Sequence, residues 1–412
     1  MMHSKDLAKS PRSFKEEIDA ILNGSSPWRR QPDRFDFSHF VFPSINFRET
    51  TFLRKTVFHG ATFTEVISFM GSAFSHEAIF SMTNFLQEVS FLGTRFESEA
   101  DFEDAKFTAA IFQDVQFNGE TTFTNAVFSQ GANFTLVRFT QLAHFEFTKF
   151  AQSANFFGAA FHKDAAFMET VFGLVSQNGV EPLISSLPQT VADFTHTTFI
   201  QPASILFYRV NQASSQGFLV RFAGCNVEQL QLVDINWYRD NNRLVLQDEI
   251  DLQKSKNQTK ATHELARVSY RQLINNFDKV RAYDLADECW VGVMDLNRFD
   301  PTRSVFSRFA VVIYQLLSRY GTSYTRALAV LLGSALFVFP LLFTLGGLTQ
   351  NPSKASFCPS GLIHSLEVAT FVSNTHYVST SVLAWGLEIF ERIFVPAQLS
   401  LFLLALRSRF RR

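Results

Sequence analysis

The chain has 412 residues, with 49 Phe, 37 Lys or Arg and 38 Asp or Glu. Its apolar fraction of 46% is ordinary, but its charged fraction of 18% is low and its Phe content is unusually high. A net charge of -1 gives no general attraction for nucleic acid, so no nucleic-acid partner is expected. A chain this apolar is not a disordered tail, and its length fits about two or three domains.

Nothing in the sequence predicts catalysis. The three Cys residues, Cys225, Cys289 and Cys358, have the spacing of neither a zinc module nor a disulfide scaffold. The sequence has no Gly-rich phosphate loop, no metal-spaced set of His and Cys, and no nucleophile elbow. We therefore expect no enzyme activity and no catalytic, metal or cofactor site.

The N-terminal segment does not have the features of a signal peptide. Residues 1–30 have mixed charge and contain no apolar stretch of the required length, about 7–15 residues. Pro11 can begin a short helix with Phe14 and Ile18 on one face. We predict a helical cap within residues 1–34 and expect the segment that follows to stay on the cytoplasmic side.

Phe recurs at every fifth or sixth position from Phe42 to Phe172. The run holds 25 Phe in 24 steps, and ten of those steps are six residues long. This period matches neither an amphipathic helix nor an alternating strand. It is typical of a chain that turns a corner at each step, with rings stacked inside coils of about 22 residues. The predicted repeat core includes Phe102, Phe107, Phe123, Phe128, Phe134, Phe139, Phe145 and Phe150.

The position two residues before each Phe is restricted in size. From Phe47 to Phe172 it holds 11 Ala, 7 Thr, 3 Val, 2 Ile and 1 Ser, which predicts a second inward position beside the rings. Three units read Ala100-Asp101-Phe102, Ala132-Asn133-Phe134 and Ala154-Asn155-Phe156. In these units the chain resembles the pentapeptide-repeat proteins, whose unit is A-(D/N)-(L/F)-x-x.

The resemblance covers about residues 35–172 and implies a right-handed quadrilateral β-helix. The sequence differs from the family pattern in using Phe almost throughout and in adding a sixth residue to alternate units. We predict an inserted loop at 173–190 and a β-helix that continues to residue 237, with about seven or eight coils. Family members that mimic DNA need a strongly acidic surface, whereas residues 35–172 carry only 15 acidic and 8 basic side chains.

Residues 238–303 are predicted to be a helical linker. Residues 238–260 are polar and read as a hinge or cap, and two antiparallel helices follow, joined near 280–282. One stripe of the first of these helices is predicted to consist of Leu265, Val268, Gln272, Leu273 and Phe277. The linker resembles the helical hairpin that joins repeats to membrane segments in some pentapeptide-repeat proteins.

The C-terminal region has the pattern of a membrane hairpin preceded by a surface helix. Residues 304–326 include an apolar stretch too short to span a bilayer, so they predict an interfacial helix. Within 327–412, residues 327–348 and 383–406 are long and apolar enough to span. Arg residues flank both spans on their outer sides, which predicts cytoplasmic N- and C-termini. We expect a multi-pass protein of a bacterial inner membrane.

Residues 361–375, between the spans, are apolar enough to form a re-entrant helix. Two spans with a re-entrant segment between them is the topology of the two-helix potassium-channel pores. Residues 364–371 resemble the pore helix of that family. Residues 372–377 lack the Gly of its selectivity filter, so potassium selectivity is not expected. The open alternative is a short extracytoplasmic loop. The candidate pore-lining residues are Thr370, Ser373, Asn374, Thr375, Glu388 and Glu391.

Two functions follow from this organisation. The first is a membrane-anchored cytoplasmic scaffold whose β-helix binds a protein partner. The second is a homo-oligomeric ion channel or pore, not selective for potassium, that is gated through the β-helix. Membrane lipid is a partner in both. For Glu388, which is four residues before Arg392, the alternatives are a structural ion pair and a pore-lining role.

Overall fold

The computed structural model describes residues 11–22, 33–173, 190–212, 217–255, 259–351, 353, 359–373 and 375–410. Two compact units divide the chain, Met1–Cys289 and Trp290–Arg412. Asn374 and Cys358 lie outside the described residues, as does nearly all of the predicted insert at 173–190.

The first unit is a β-solenoid of about eight turns. Each short strand pairs in parallel with a strand one coil away, usually 22 residues along the chain, as Ala100 does with Ala78. The strands line four faces, so the predicted four-sided β-helix is confirmed. The first face consists of Arg34–Asp36, Lys55–Val57, Ala78–Ile79, Ala100–Asp101, Thr121–Thr122, Ala143–His144, Ala165–Met168, Ile205–Tyr208 and Gln231–Val233.

The other three faces repeat the same arrangement. The strands Asn84–Ser90 and Lys106–Ile111 are long enough to turn a corner and belong to both the second and the third face. The second face also contains Val41–Phe42, Thr62–Phe63, Val127–Phe128, Lys149–Phe150 and Val171–Phe172. The third also contains Ile67–Ser68, Ala132–Asn133, Ala154–Asn155, Ala192–Asp193 and Val220–Arg221. The fourth contains Thr51–Phe52, Ala73–Phe74, Arg95–Phe96, Gln116–Phe117, Arg138–Phe139, Ala160–Phe161 and Thr198–Phe199.

The Phe side chains fill the interior of the solenoid. All 25 rings from Phe42 to Phe172 are buried. The Phe102 ring stacks on those of Phe80 and Phe123, with centroids 5.1 and 4.9 Å apart, and meets the Phe112 ring at 83°. Offset stacking and edge-to-face contacts are the favoured aromatic geometries, and each is worth about 0.5–1.5 kcal/mol beyond burial.

From Phe58 to Phe172 the small residue two positions before each Phe also lies inside, and where it is Thr or Ser its hydroxyl has a partner. The Thr83 hydroxyl donates to the Phe58 carbonyl at 2.9 Å, and those of Thr94 and Thr148 donate to the Phe69 and Phe123 carbonyls at 2.7 and 2.8 Å. Size alone made this position look apolar in the sequence. A buried hydroxyl is tolerated there because it hydrogen-bonds to the neighbouring coil.

Both ends of the solenoid are covered within the described residues. The helix α1 (Pro11–Leu22) buries Phe14 and Ile18, and the Phe14 ring meets Phe42 edge-on at 5.5 Å. A solenoid end exposes unpaired strand groups that attract further strands. At the N-terminal end, α1 covers the first Phe of the ladder.

The other end carries an antiparallel strand pair and helices. The strands are Arg239–Asp240 and Arg243–Leu244. The helices are α2 (Gln247–Lys254), α3 (Lys260–Lys279) and α4 (Tyr283–Phe299), the last of which crosses the boundary between the two units. A 3-10 turn, Pro202–Ser204, lies within the solenoid.

Side chains of α3 satisfy the backbone of the last coil. Asn276 donates to the carbonyls of Val227 and Leu230 at 2.9 and 2.8 Å, and Gln272 accepts from the Val227 amide at 3.1 Å. These contacts replace the strand that a further coil would have supplied. The Trp237 and Phe277 rings meet edge-on at 6.0 Å and close the interior.

The predicted stripe on α3 is partly wrong. Leu273 and Phe277 are buried, but Leu265 and Val268 are 39% and 37% exposed. The buried face instead includes polar residues, because the edge of the solenoid needs hydrogen-bond partners as well as apolar cover. The boundaries of α3 and α4 do match the predicted joint near 280–282.

The polar segment at 238–260 holds a buried ion pair. Arg243 donates to both carboxylate oxygens of Glu249, at 2.9 and 2.5 Å, and the Tyr270 hydroxyl donates to Glu249 at 2.7 Å. Burial and the nearby Glu249 raise the pKa of Tyr270. Burial likewise raises the pKa of Cys225 and Cys289, which keeps these two thiols neutral and unreactive.

The second unit contains α5 (Val305–Ser318), α6 (Tyr324–Gly333), a π-helical turn (Ser334–Val338), α7 (Phe339–Gly346), α8 (Ser360–Ala369) and α9 (Val382–Phe410). The strands Leu348–Gln350 and Tyr377–Ser379 pair in antiparallel fashion. Two continuous helical stretches, Tyr324–Gly346 and Val382–Arg407, are long and apolar enough to cross a membrane.

The first of these stretches widens just before Pro340. Proline has no amide hydrogen, and its ring clashes with the carbonyl four residues earlier. The π-helical turn Ser334–Val338 ends two residues before Pro340, where an α-helical bond would be lost, and it allows the helix to continue into α7.

A candidate pore segment between the apolar helices

The helix α8 is held between the two apolar helices at close range. A Cβ atom on Gly361 would lie 2.3 Å from the Pro340 carbonyl oxygen and 2.6 Å from the Thr344 methyl carbon, so only glycine fits this contact. One turn further along, the Ser365 hydroxyl lies 3.1 Å from the Ala335 carbonyl oxygen and 2.5 Å from Oε1 of Glu391. Ser365 therefore bridges the two long helices.

These contacts fix the depth of α8. Ala335 is the twelfth of the 23 residues in Tyr324–Gly346, so Ser365 lies level with the middle of that helix. Gly361 contacts Pro340, nearer the end of the helix, so α8 runs inward as it proceeds from Gly361 to Ser365. The chain then returns, because Tyr377–Ser379 pairs with Leu348–Gln350, just beyond the end of α7.

Polar contacts join α8 to α9 and to the returning segment. The buried His364 ring contacts Oε1 of Glu388 through Nε2 at 3.1 Å and meets the Phe343 ring edge-on at 4.7 Å. Because the partner is a carboxylate, we assign the ring hydrogen to Nε2. The Ser379 hydroxyl also hydrogen-bonds to Glu388.

A second contact holds the returning segment against the end of α8. The His376 amide donates to Oε2 of Glu367 at 2.8 Å, and the His376 ring contacts the other oxygen of the same carboxylate. Glu367 is thereby paired inside its own chain. The result is a helix and a return loop held as one structure.

The candidate pore-lining residues separate into two groups. Thr370 and Ser373 are exposed at the turn after α8, Thr375 is half-buried, and Asn374 lies outside the described residues. The Thr370 hydroxyl donates to the Leu366 carbonyl at 2.7 Å, and that of Thr375 to the Tyr377 carbonyl at 2.6 Å. The tip of the return loop therefore exposes the polar side chains of Thr370 and Ser373 together with the apolar ones of Phe371 and Val372.

Glu388 and Glu391, the other two candidates, are directed toward α8. Glu388 contacts His364, and Glu391 is fully buried against Ser365. The structural ion pair considered for Glu388 and Arg392 does not form: Arg392 is exposed, and Glu388 contacts His364. A rule for neighbours along one helix could not have identified a partner on another helix.

Sequence reasoning missed three residues of this site: Gly361, His364 and Ser365. They stand in an apolar stretch, and the available signal was that two of them are polar. A further buried contact was also missed, in which the Gln398 amide donates to the Leu317 and Ala327 carbonyls at 3.1 and 2.9 Å. Polar side chains inside an apolar helix usually have such partners.

Comparison with known proteins supports the repeat region. The family model for pentapeptide repeats, in nine copies, matches residues 80–127. Searches of the curated proteins and of the solved structures gave no significant match. The chain therefore contains a pentapeptide-repeat β-solenoid, followed by helices of which two are long and apolar enough to span a membrane.

Proposed function

We propose that the protein is a subunit of a homo-oligomeric membrane pore in which α8 and its return loop line the conduction path. The observation that carries this proposal is the contact of Ser365 with both Ala335 and Glu391, near the middle of the two apolar helices. A helix held at that depth, followed by a return, has the geometry of a re-entrant pore segment.

The physical argument concerns the backbone of the return loop. Irregular backbone at membrane depth is tolerated only where it is buried in protein or lines a water-filled cavity. The loop at 370–373 is not helical, and Thr370, Phe371 and Ser373 are exposed within the single chain. Facing a water-filled axis between several copies would hydrate the polar side chains of Thr370 and Ser373. Without a Gly filter, the pore is not selective for potassium.

The membrane orientation is part of this proposal. Arg303, Arg308 and Arg319 precede the first span, Arg326 lies in its first turn, and Arg407 ends the second, which puts both ends in the cytoplasm of an inner membrane. The exposed apolar face of α5 suits a helix that lies in the lipid interface. That face consists of Val305, Phe306, Phe309, Ile313 and Leu316.

A membrane-anchored scaffold is the second candidate. It is favoured by apolar side chains exposed on the solenoid, where Leu136 and Phe157 are 48% and 40% exposed in neighbouring coils. A protein partner that covers these side chains would explain their exposure. In this function the spans would serve only as a tether.

Flux measurements on full-length protein in liposomes distinguish the two candidates. We expect Ser373→Cys, in a Cys358→Ser background, to lose most of its ion flux when a charged thiosulfonate modifies it. Ser129→Cys is the matched control, because Ser129 is exposed on the solenoid and its modification should leave flux unchanged.

Two results would contradict the pore. One is the absence of flux from protein that is inserted and folded, and the other is full flux after complete modification of Ser373→Cys. Either result favours the scaffold. Proteins that bind the wild-type solenoid but not the Leu136→Ser variant would then be sought.

A further inference from the structure

We infer that the pore proposed above conducts anions, and that Arg392 provides the charge that selects them. This inference rests on the proposed pore and adds the class of ion. It is carried by three observations: the depth of Arg392, its exposure without a partner, and the burial of both carboxylates of α9 against α8.

The depth of Arg392 follows from its neighbour. Glu391 lies level with Ala335 because Ser365 contacts both, and Ala335 is the middle residue of Tyr324–Gly346. Arg392 is next to Glu391 and so lies near the middle of the bilayer. Each surface of the hydrocarbon is then about 15 Å away, which is further than an arginine side chain can reach.

The Arg392 side chain is exposed at that depth. Among the described residues, no ion pair or hydrogen bond engages its guanidinium group. An arginine that faces lipid at the centre of a spanning helix is costly, so such residues usually face water or a partner. The acidic side chains of α9 cannot be the partner of Arg392, because Glu388 and Glu391 contact α8.

The face of α9 that carries Arg392 is exposed in the single chain, so copies of the chain can meet along it. Positions 385, 389, 392, 396, 399 and 403 follow one another at alternating steps of four and three, which is the spacing of a helix seam. All are exposed except Pro396, which is half-buried. In a closed ring of identical chains the same face of each copy meets the axis. Arg392 would then form a ring of positive charges within the pore.

The opposing negative charges are less exposed than Arg392. The C-terminus of α8 carries about half a negative charge from its backbone dipoles. The Glu391 side chain is fully buried, and the carboxylates of Glu388 and Glu367 are only 18% and 12% exposed beside His364 and His376. A full positive charge on each Arg392 exceeds the helix-dipole contribution. Rings of arginine or lysine are the arrangement used by anion pores.

The reversal potential of full-length protein in a planar bilayer with a tenfold potassium chloride gradient tests this inference. We expect the wild-type current to reverse near the chloride equilibrium potential. Arg392→Lys should keep this preference, Arg392→Gln should bring the permeabilities of chloride and potassium close to equal, and Arg392→Glu should favour potassium. Arg95→Glu makes the same change in net charge on the solenoid and should leave the preference unchanged.

The outcomes separate the two proposals. A current that reverses near the potassium potential, or a chloride preference that survives Arg392→Glu, keeps the pore but overturns the role of Arg392. Absence of current from inserted wild-type protein overturns both the pore and this inference. Arg392→Lys and Arg392→Gln remain informative if Arg392→Glu does not assemble, which the size of the detergent-solubilised oligomer reports.

Discussion

The solenoid and the helical unit are built on opposite principles. In the solenoid, each contact repeats about 22 residues later, so the stack of Phe102 on Phe123 is copied by Phe123 on Phe145. In the helical unit, each contact joins unlike positions once, as Ser365 joins Ala335 and Glu391. A repeated contact can be read from a period, whereas a single contact depends on one residue. Substitutions in the two regions should therefore behave differently.

The largest expected effect is the removal of a ring from the stack. Phe123→Ala leaves a cavity between Phe102 and Phe145 and should lower the free energy of unfolding by about 3–5 kcal/mol. Phe102→Ala and Phe145→Ala should cost about the same, since their surroundings repeat. Urea unfolding of the full-length protein in detergent, with hydrogen exchange of peptides from the solenoid, measures this loss. Three clearly unequal costs would show that the coils are not equivalent.

A pH-dependent loss of stability is expected at the capped end of the solenoid. Asp248 is buried, and burial raises its pKa to about 6, although the amides of Phe222 and Ala223 donate to it. The unfolded carboxyl loses its proton near pH 4. The contribution of Asp248 to stability should therefore be greatest below about pH 4 and fall as the pH rises to about 6, by roughly 3 kcal/mol.

The Asp248→Asn variant isolates this contribution. Its melting temperature should change less between pH 4 and pH 6 than that of the wild type, because the side chain no longer ionises. Asp114→Asn, at an exposed corner of the solenoid, is the control and should follow the wild type. Parallel pH profiles for the wild type and Asp248→Asn would contradict the assignment.

The sequence predicted the solenoid well because its interior is periodic. Rings of one size at one spacing define the coil, the faces and the stacking partners together. The buried hydroxyl of Thr83 was not predicted, because Thr and Val have the same shape and the period does not reveal a hydrogen bond. The α3 stripe failed for Leu265 and Val268, since a cap must match the polar edge of the final coil.

The candidate site was predicted only in outline. The length and apolar composition of the C-terminal region predicted the two apolar helices and the segment between them. The burial of Glu391, the partner of Glu388 and the exposure of Arg392 depend on how α8 enters between α7 and α9. Residues one turn apart on a helix can be compared from sequence, but contacts between helices are set by packing that no repeat encodes.

A single close contact should make the helical unit sensitive at Gly361. Gly361→Ala would place a methyl group 2.3 Å from the Pro340 carbonyl oxygen, so α8 must move away from α7. We expect a loss of about 1–3 kcal/mol through overpacking, seen as a lower melting temperature and faster hydrogen exchange in α8. Gly333→Ala is the matched control, because nothing lies within 4 Å of its added methyl group. Equal behaviour of the two variants would show that α8 does not pack as described.

The smallest expected effect tests the buried hydroxyls of the solenoid. Thr83→Val keeps the β-branched shape but removes the hydrogen bond to the Phe58 carbonyl, which still accepts from the Ala61 amide at 2.9 Å. The lost bond is worth about 0.5–1.5 kcal/mol, and the gain from a buried methyl group opposes it. A net loss near 0.5–1 kcal/mol in urea unfolding would show that the hydrogen bond outweighs the methyl group. Thr62→Val, on the outer side of the preceding coil, should change stability less, and a Thr83→Val variant as stable as the wild type would mean that size alone governs this position.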